Sequence, residues 1–182
     1  MLVASMDPSL ANFGVAELHL DTETLKLSVR SLTLIETEKR TGKTVRQNSD
    51  DLRRCKEIVQ RYHFLINKCT VAFAEIPTGA QSARAMYAFG ASVGMLASCP
   101  IPLIQVQPFE TKLATVGTKT ASKEEMIEWA VEHYPDAPWI RRAGKMTLKN
   151  EHLADAVAVA HAGIKTDQFQ QLLAMWRGAN AA

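Results

Sequence analysis

The chain has 182 residues, 47% of them apolar, and a formal net charge of +2. This length suits one well-buried core and is short for two, so a single domain over residues 1–182 is expected. No apolar stretch approaches the roughly 20 residues that cross a bilayer, and Met1 is not followed by the basic segment and long apolar run of a signal peptide. These features predict a cytoplasmic protein without a membrane partner, and so small a net charge does not by itself indicate nucleic-acid binding.

The cysteine content argues against a disulfide or zinc framework. The three cysteines, Cys55, Cys69 and Cys99, are odd in number, widely spaced and set in apolar surroundings. This pattern favours reduced thiols within the core.

The N-terminal part of the chain has the pattern of an antiparallel meander. Strands are expected at residues 2–6, 14–20 and 25–35, with Asp21 to Thr24 as the turn between the last two. Residues 36–49 are polar and basic and contain one glycine, which predicts a mobile loop.

A helix is expected next, running to about Asn67 from a cap formed by Asn48, Ser49 or Asp50. Its apolar residues keep helical spacing on one face, and they are Leu52, Cys55, Ile58, Val59, Tyr62, Leu65 and Ile66. The buried strand expected at residues 70–74 ends at Glu75, because Pro77 cannot continue a β-ladder.

Residues 80–98 are expected to form a second helix with a line of small side chains. Small residues suit close packing on the sheet, which is the preferred interpretation, or a contact between two copies of the chain. They are Ala83, Ala85, Ala88, Gly90, Ala91, Ser92, Gly94 and Ala97.

A strand at residues 102–106 is expected to lead into a short helix that ends near Gly117. Ser122 and Glu125 have the spacing of a capping box, and they begin a helix that stops at Tyr134.

The C-terminal part begins with residues 136–149, which predict an irregular basic arm. Asn150 or its neighbours are expected to cap a helix that is almost wholly small and apolar and therefore buried. A peripheral amphipathic helix is expected at residues 167–176.

Acidic residues stand where three of these elements begin or end. Asp7 and Glu75 each follow an apolar strand, and Glu151, His152 and Asp155 open the buried late helix. Positions 152 and 155 share one helix face, as do 151 and 155. Clustered carboxylates repel one another unless a cation lies between them, so this arrangement predicts a divalent-metal phosphodiesterase site.

Each of these residues has a simpler interpretation when it is taken alone. Asp7 lies in an Asp-Pro-Ser sequence that suits a turn, and Glu151 or Asp155 could serve only as a partner of the helix dipole. A lone His152 is more often a surface or capping residue than a ligand. Burying a charged Asp155 on an apolar helix costs free energy unless the carboxylate is paired or bound to metal. This cost favours a metal site over a helix-dipole partner for Asp155.

Basic residues gather in four clusters along the chain. One such cluster is best explained as a solvated face, but four clusters that flank an acidic site favour a nucleic-acid partner. The clusters are Lys39, Arg40, Lys43 and Arg46; Arg53 and Arg54; Lys112, Lys119 and Lys123; and Arg141, Arg142, Lys145 and Lys149.

Several motifs occur in a specific order. Met6-Asp7-Pro8-Ser9 with Gly14 comes first, Ala74-Glu75 ends a strand, and His152-Leu153-Ala154-Asp155 opens the late helix. Between them, the stretch from Lys112 to Gly117 is followed by Lys119 and Lys123. In these motifs and their order, the chain from Asp7 to about Ala162 resembles the RuvC-type Holliday junction resolvases of the ribonuclease H-like superfamily, as a divergent member.

The resemblance implies an α/β fold of the ribonuclease H-like type, with a five-stranded mixed sheet, an antiparallel meander followed by parallel strands, flanked by helices. It implies that the catalytic and metal-binding set is Asp7, Glu75, His152 and Asp155. Two Mg²⁺ ions are the implied cofactor, with Mn²⁺ able to substitute. The expected DNA contacts are Lys112, Lys119, Lys123, Arg141 and Arg142.

The implied activity is metal-dependent hydrolysis of DNA at four-way junctions, in DNA recombination and repair. Two symmetric cuts imply a homodimer, and a branch-migration motor is a further conceivable partner. The implied location is intracellular, at a nucleoid or a viral replication site. The alternatives are a related nuclease that acts on other branched DNA or structured RNA, and a catalytically silent junction-binding protein.

Two positions depart from the family pattern. Ser9 stands where a glycine is usual, which leaves the first turn less backbone freedom. The position at which bacterial members often carry an aromatic wedge falls within Pro77-Thr78-Gly79, which contains no aromatic residue.

An actin-like ATPase also begins with an aspartate at a strand end, but the chain has no glycine-rich phosphate loop.

Overall fold

A computed structural model describes residues 1–77, 79 and 82–180 of the chain. The described strands of the main sheet are β1 (Leu2–Asp7), β2 (Asn12–Leu20), β3 (Leu27–Glu36), β4 (Val71–Glu75) and β5 (Leu103–Val106). Their order in the sheet is β3-β2-β1-β4-β5. β2 runs antiparallel to β1 and β3, whereas β4 runs parallel to β1 and β5. The expected five-stranded mixed sheet is confirmed.

The helices in this part of the chain are α1 (Gln47–Ile66), α2 (Ala83–Ala97), α3 (Pro108–Thr115), α4 (Lys123–His133), α5 (Asn150–Gly163) and α6 (Asp167–Asn180). A small hairpin of β6 (Arg141–Arg142) and β7 (Lys145–Met146) lies between α4 and α5 in the chain. None of the described helices has the length and apolar character needed to cross a membrane.

The main sheet has a hydrophobic core on each face, because side chains alternate along its strands. Val3 of β1 packs in the core that contains α5, whereas Met6 packs in the core that contains α1. Apart from Asp155, the residues from Leu153 to Ala160 are at most 1% exposed. A helix that is apolar on all sides can only be stable inside a core, which confirms the predicted burial of α5.

Two local predictions are confirmed in atomic detail. Asp21 Oδ1 accepts hydrogen bonds from the backbone N–H of Glu23 (2.8 Å) and Thr24 (3.0 Å), which closes the turn between β2 and β3. At the start of α4, Ser122 and Glu125 each accept a hydrogen bond from the other's backbone N–H. This reciprocal pair is the capping box that their spacing predicts.

The predicted cap of α1 is wrong. The helix begins at Gln47, and its capping position, Arg46, has no side-chain cap. Asp50 lies inside the helix and is buried, where it accepts hydrogen bonds from the backbone N–H of Arg40 (3.0 Å) and from Arg53 Nε (3.0 Å). Leu52, which was expected on the buried face, is 56% exposed. Asp50 bonds to arginines instead of capping the helix, and a sequence pattern does not reveal such partners.

The segment 136–149 was expected to be irregular, and it instead contains the β6–β7 hairpin. Asn150 does not cap α5 with its side chain. Its amide accepts a hydrogen bond from the Ile140 N–H (2.8 Å) and donates to the carbonyls of Ile140 (2.9 Å) and Thr147 (3.1 Å). Asn150 is fully buried, so these bonds fasten the base of the hairpin to the first residue of α5. The last helix, α6, continues past the expected end to Asn180.

Close packing of α2 on the sheet, the preferred interpretation of its small residues, is wrong for most of the helix. The buried side chains of α2 are Ser92, Met95 and Leu96. A Cβ atom added at Gly90 or Gly94 would meet no atom within 4 Å. The small residues therefore leave much of this helix open to solvent. Residues 80 and 81, where the helix was expected to begin, lie outside the described residues.

The three cysteines are free, as expected. Cys69 is buried, and burial raises its pKa to about 12. Cys55 and Cys99 are half-buried at the margin of the core that contains α1. Raised thiol pKa values make reactive thiolates scarce at neutral pH, which fits structural cysteines.

Candidate active site

Asp7 and Glu75 are the last residues of two adjacent parallel strands. Met6 of β1 is level with Ala74 of β4, so the next residue of each strand is a carboxylate at the same edge of the sheet. Proline follows both strands closely, and a proline cannot donate to a β-ladder. Local sequence thus ends both strands at the point where the carboxylates emerge.

The first turn of α5 brings His152 to this edge, and its Nδ1 lies 2.7 Å from Asp7 Oδ2. This approach depends on Gly14, which pairs with Asp7 across the β1–β2 ladder. A Cβ atom at Gly14 would lie 2.2 Å from the carbonyl oxygen of His152, closer than any real contact. Glycine therefore allows the backbone of α5 to rest directly on β2.

Two of the site's carboxyl groups have raised pKa values. Burial, followed by repulsion from Asp7 and Glu75, raises the pKa of Asp155 to about 8. Burial and repulsion from Asp7 raise the pKa of Glu75 to about 7. The pKa of His152 is raised chiefly by its hydrogen bond to Asp7. The structure therefore brings all four predicted site residues together, in a place where negative charge lacks compensation.

Two residues of α3 act on Glu75, and one of them was not anticipated. A hydrogen bond from Thr111 and the positive charge of Lys112 both oppose the rise in the pKa of Glu75. Thr111 is buried, whereas Lys112 Nζ donates to the carbonyl oxygen of Ala121 at 2.7 Å. No local signal marks a threonine inside a helix as the neighbour of a distant carboxylate, so only the fold identifies Thr111.

The donor set fits a divalent cation by its chemistry. Asp7, Glu75 and Asp155 offer carboxylate oxygens, the ligands that Mg²⁺ prefers, and a cation would relieve their mutual repulsion. Within residues 1–77, 79 and 82–180, no three side chains of His, Cys, Asp and Glu already form a group able to hold a metal. The contact with His152 uses Oδ2 of Asp7.

The lysines predicted to bind DNA lie on α3 (Lys112), on the segment between α3 and α4 (Lys119) and at the start of α4 (Lys123). Lys123 Nζ is 2.6 Å from Glu151 Oε1, although Lys123 itself is 72% exposed. Glu151 therefore neutralises a lysine rather than joining the carboxylate group. Lys119 Nζ lies 5.1 Å from the ring centre of Phe109, at a distance typical of a cation–π contact. Arg141 and Arg142 are exposed on the hairpin that Asn150 fastens to α5.

A groove beside the end of β3 is lined by side chains of both charges. Its lining includes Asn12, Glu36, Glu38, Lys39, Arg40, Arg53, Glu57 and Lys149. Lys149 forms an ion pair with Glu36 across the groove. Because Lys149 directly precedes α5, the groove adjoins the helix that carries His152. The three glutamates offset most of the positive charge in this groove.

No protein-family model and no curated protein matches the chain by sequence. Among solved structures, Thermus thermophilus RuvC matches with a TM-score of 0.64 at 20% sequence identity, over 89% of this chain and 92% of that one. The same protein in complex with a Holliday junction substrate matches with a TM-score of 0.66 at the same identity and coverage. The fowlpox virus resolvase, in complex with substrate Holliday junction DNA, matches with a TM-score of 0.52 at 15% identity, over 95% of this chain and 99% of that one.

These matches confirm the expected ribonuclease H-like fold. The chain shares the RuvC fold over most of its length. Identity at this level establishes the fold alone. The segment in which the family's aromatic wedge was sought includes Thr78, which lies outside the described residues.

Proposed function

We propose that the protein is a metal-dependent endodeoxyribonuclease that resolves four-way DNA junctions. The observation that carries the proposal is the convergence of Asp7, Glu75, His152 and Asp155 from three distant parts of the chain, with the pKa values of two carboxyls raised by burial and mutual repulsion. Perturbed carboxyl groups at the carboxyl ends of parallel strands are typical of functional sites. The shared fold with two resolvases whose complexes contain Holliday junctions supports DNA as the substrate.

The cofactor in this proposal is a pair of Mg²⁺ ions, for which Mn²⁺ can substitute. Asp7, Glu75, Asp155 and His152 would hold them. When bound, such ions lower the pKa of a water molecule and stabilise the leaving oxygen of the phosphodiester.

The protein's own groups orient the site and handle protons. His152 is held through Nδ1 by Asp7, and the same contact raises the pKa of the imidazole. Its Nε2 is thereby kept in one orientation, from which it could bind a metal ion or form a hydrogen bond to the phosphate or to the attacking water. Thr111 and Lys112 keep Glu75 closer to its charged form than burial alone would allow.

Basic residues of two regions would bind the phosphate backbone. Lys112, Lys119 and Lys123 lie on α3, α4 and the segment between them, and Arg141 and Arg142 lie on the hairpin. Release of counterions from DNA on binding makes such affinity fall steeply with salt concentration.

Two symmetric cuts require two copies of the site, so the proposal includes a homodimer with twofold symmetry. α2 offers the apolar surface for it, since Met86, Tyr87 and Val93 are 54%, 41% and 44% exposed. An apolar groove between α1 and α2, lined by Val59, Ala91, Gly94 and Met95 among others, continues this surface. Contiguous exposed apolar surface of this kind commonly marks an interface.

The test is a comparison of substrates. Purified protein is incubated with Mg²⁺ and a synthetic four-way junction, a flap, a linear duplex or structured RNA, and cleavage products are resolved on a gel. We expect paired cuts in the junction and much slower cutting of the linear duplex. Faster cutting of flaps or RNA would assign the site to a related nuclease. Binding of the junction with no cutting in either Mg²⁺ or Mn²⁺ would leave a silent junction-binding protein.

A further inference from the structure

A buried ionic cluster that the catalytic proposal does not use is centred on Asp51 of α1. Asp51 is fully buried, and its oxygens accept hydrogen bonds from Arg84 Nη1 (2.7 Å) and Nη2 (3.0 Å) and from Gln47 Nε2 (3.1 Å). Arg54 Nη1 lies 3.4 Å from the same carboxylate. A buried carboxylate with this many donors is held in its charged form, and its pKa is lowered chiefly by the hydrogen bonds from Arg84.

Arg54 connects this cluster to the turn that follows Asp7. Arg54 is 5% exposed, and it donates through Nη2 to the carbonyl oxygen of Leu10 (2.9 Å) and through Nε to Thr37 Oγ1 (2.9 Å). Thr37 Oγ1 donates to the same carbonyl of Leu10 at 2.5 Å. Leu10 lies three residues after Asp7, so the backbone that leaves the first site carboxylate is held by a buried guanidinium.

Arg84 connects the same carboxylate to the start of α2. Arg84 lies in the first turn of α2, the next helix after β4. Its Nη1 and Nη2 form a bidentate pair of hydrogen bonds with the two oxygens of Asp51. Such a fork fixes orientation as well as distance, because both N–H groups must face both oxygens. Asp51 therefore contacts both Arg54, which bonds the turn after Asp7, and Arg84, in the first turn of α2.

We propose that Asp51, Arg54 and Arg84 are positioning residues that hold the turn after Asp7 and so position this strand-end carboxylate for cleavage. The inference rests on the proposed nuclease function. Its physical basis is that Asp51 is fully buried, so loss of an arginine partner leaves this charge buried with fewer donors, although the side chain of Arg84 is itself 48% exposed. A small displacement of a catalytic group can lower a rate by about 100-fold without preventing binding.

The experiment compares Asp51→Asn, Arg84→Met, Arg84→Lys and the double variant Asp51→Asn/Arg84→Met with the wild type. Arg61→Met is the matched control, because Arg61 lies on the same helix in an exposed pair with Glu57, 3.9 Å apart. Single-turnover cleavage at saturating junction and Mg²⁺ gives the rate, and junction binding gives the Kd. Hydrogen exchange is followed at the amides of Asn12 and Thr37, which bond to Ser9 Oγ and the Ala11 carbonyl, and at Leu20 as a distant reference.

We expect Asp51→Asn and Arg84→Met each to lower the cleavage rate by about 10- to 100-fold, with Kd within about threefold of the wild type. Exchange should quicken at Asn12 and Thr37 and stay unchanged at Leu20. The double variant should be no slower than either single variant, since both remove one linkage. Arg84→Lys should restore the rate only in part, because a lysine cannot form the fork.

Several results would overturn the inference. Additive losses in the double variant, or full rescue by Arg84→Lys, would mean that Arg84 acts by its charge on DNA, which the buried Asp51 cannot touch. Lower melting temperatures with unchanged cleavage by the folded protein would mean a purely structural cluster. If Asp51→Asn does not fold, the cleavage rates and amide exchange of Arg84→Met and Arg84→Lys still test the positioning role. If the wild type cuts no substrate, the proposed function fails, and unchanged exchange in the variants would separately refute the positioning role.

Discussion

His152 Nδ1 and Asp7 Oδ2 lie 2.7 Å apart, although the two residues are separated by 145 positions in the chain. This contact joins the first turn of α5 to the end of β1, and Gly14 makes it possible by leaving room for the carbonyl of His152. The geometry of the site therefore depends on how closely one helix approaches one strand.

Neutral isosteres at the strand ends should abolish cutting while the fold persists. Asp7→Asn and Glu75→Gln each remove a carboxylate that the metal proposal requires, and we expect cleavage of a four-way junction to fall at least about 100-fold in Mg²⁺. Junction affinity should change little, because the lysines remain. Glu57→Gln, on the exposed surface of α1, is the matched control. Undiminished cutting by either site variant would remove that carboxylate from the catalytic set.

The free energy of unfolding of the metal-free protein should depend on pH through the raised pKa of Asp155. Its pKa is about 8 in the folded protein against an ordinary value of 3.8, so between these values the folded state retains a proton that the unfolded state has released. The free energy of unfolding contributed by this group therefore falls as pH rises from about 4 to about 8 and is then constant. Glu75 adds a similar fall that ends near pH 7.

Asp155→Asn isolates this effect. Denaturant unfolding of both proteins without metal, between about pH 4 and 9, should show the variant gaining stability relative to the wild type as pH rises through this window. Added Mg²⁺ should raise the melting temperature of the wild type more than that of the variant. Parallel pH curves for the two proteins would show that Asp155 is not held in its protonated form.

Gly14→Ala should displace α5 from β2. The new Cβ would lie 2.2 Å from the backbone oxygen of His152, and backbone cannot yield as a flexible side chain can. We expect a loss of about 1–3 kcal/mol in the free energy of unfolding, together with slower junction cleavage. Gly178→Ala is the control, since a Cβ there meets nothing within 4 Å and alanine favours the helix by about 0.5–1 kcal/mol. Equal stability of Gly14→Ala and wild type would refute the close approach.

A charge on the exposed face of α2 should prevent self-association. Val93 is 44% exposed, and in a twofold interface Val93→Glu would bury like charges near one another. We expect sedimentation to show a monomer, and junction cleavage to yield singly nicked products instead of paired cuts. Met175→Glu, at a 74% exposed position on α6, should leave both properties unchanged. A dimeric Val93→Glu protein would place the interface elsewhere.

Local patterns in the sequence were sufficient for the strands of the main sheet, for most helices and for the strand-end carboxylates, but not for the β6–β7 hairpin. Alternation and helical spacing depend on neighbouring residues, and so do the Asp21 turn, the Ser122 capping box and the prolines that end β1 and β4. Asp7 and Glu75 could therefore be identified, because the residues that make them emerge at the sheet edge are adjacent in the chain. The order of the motifs also led to the ribonuclease H-like fold.

Only the tertiary structure decided which polar groups meet across the chain. Thr111 reaches Glu75, Asn150 fastens the hairpin instead of capping a helix, and Asp51 binds Arg84 from another helix. The open face of α2 was likewise invisible, because small residues fit close packing and solvent exposure equally well. A side chain's type states which bonds it can form, but its partner is set by where the packed sheet and helices bring distant segments together.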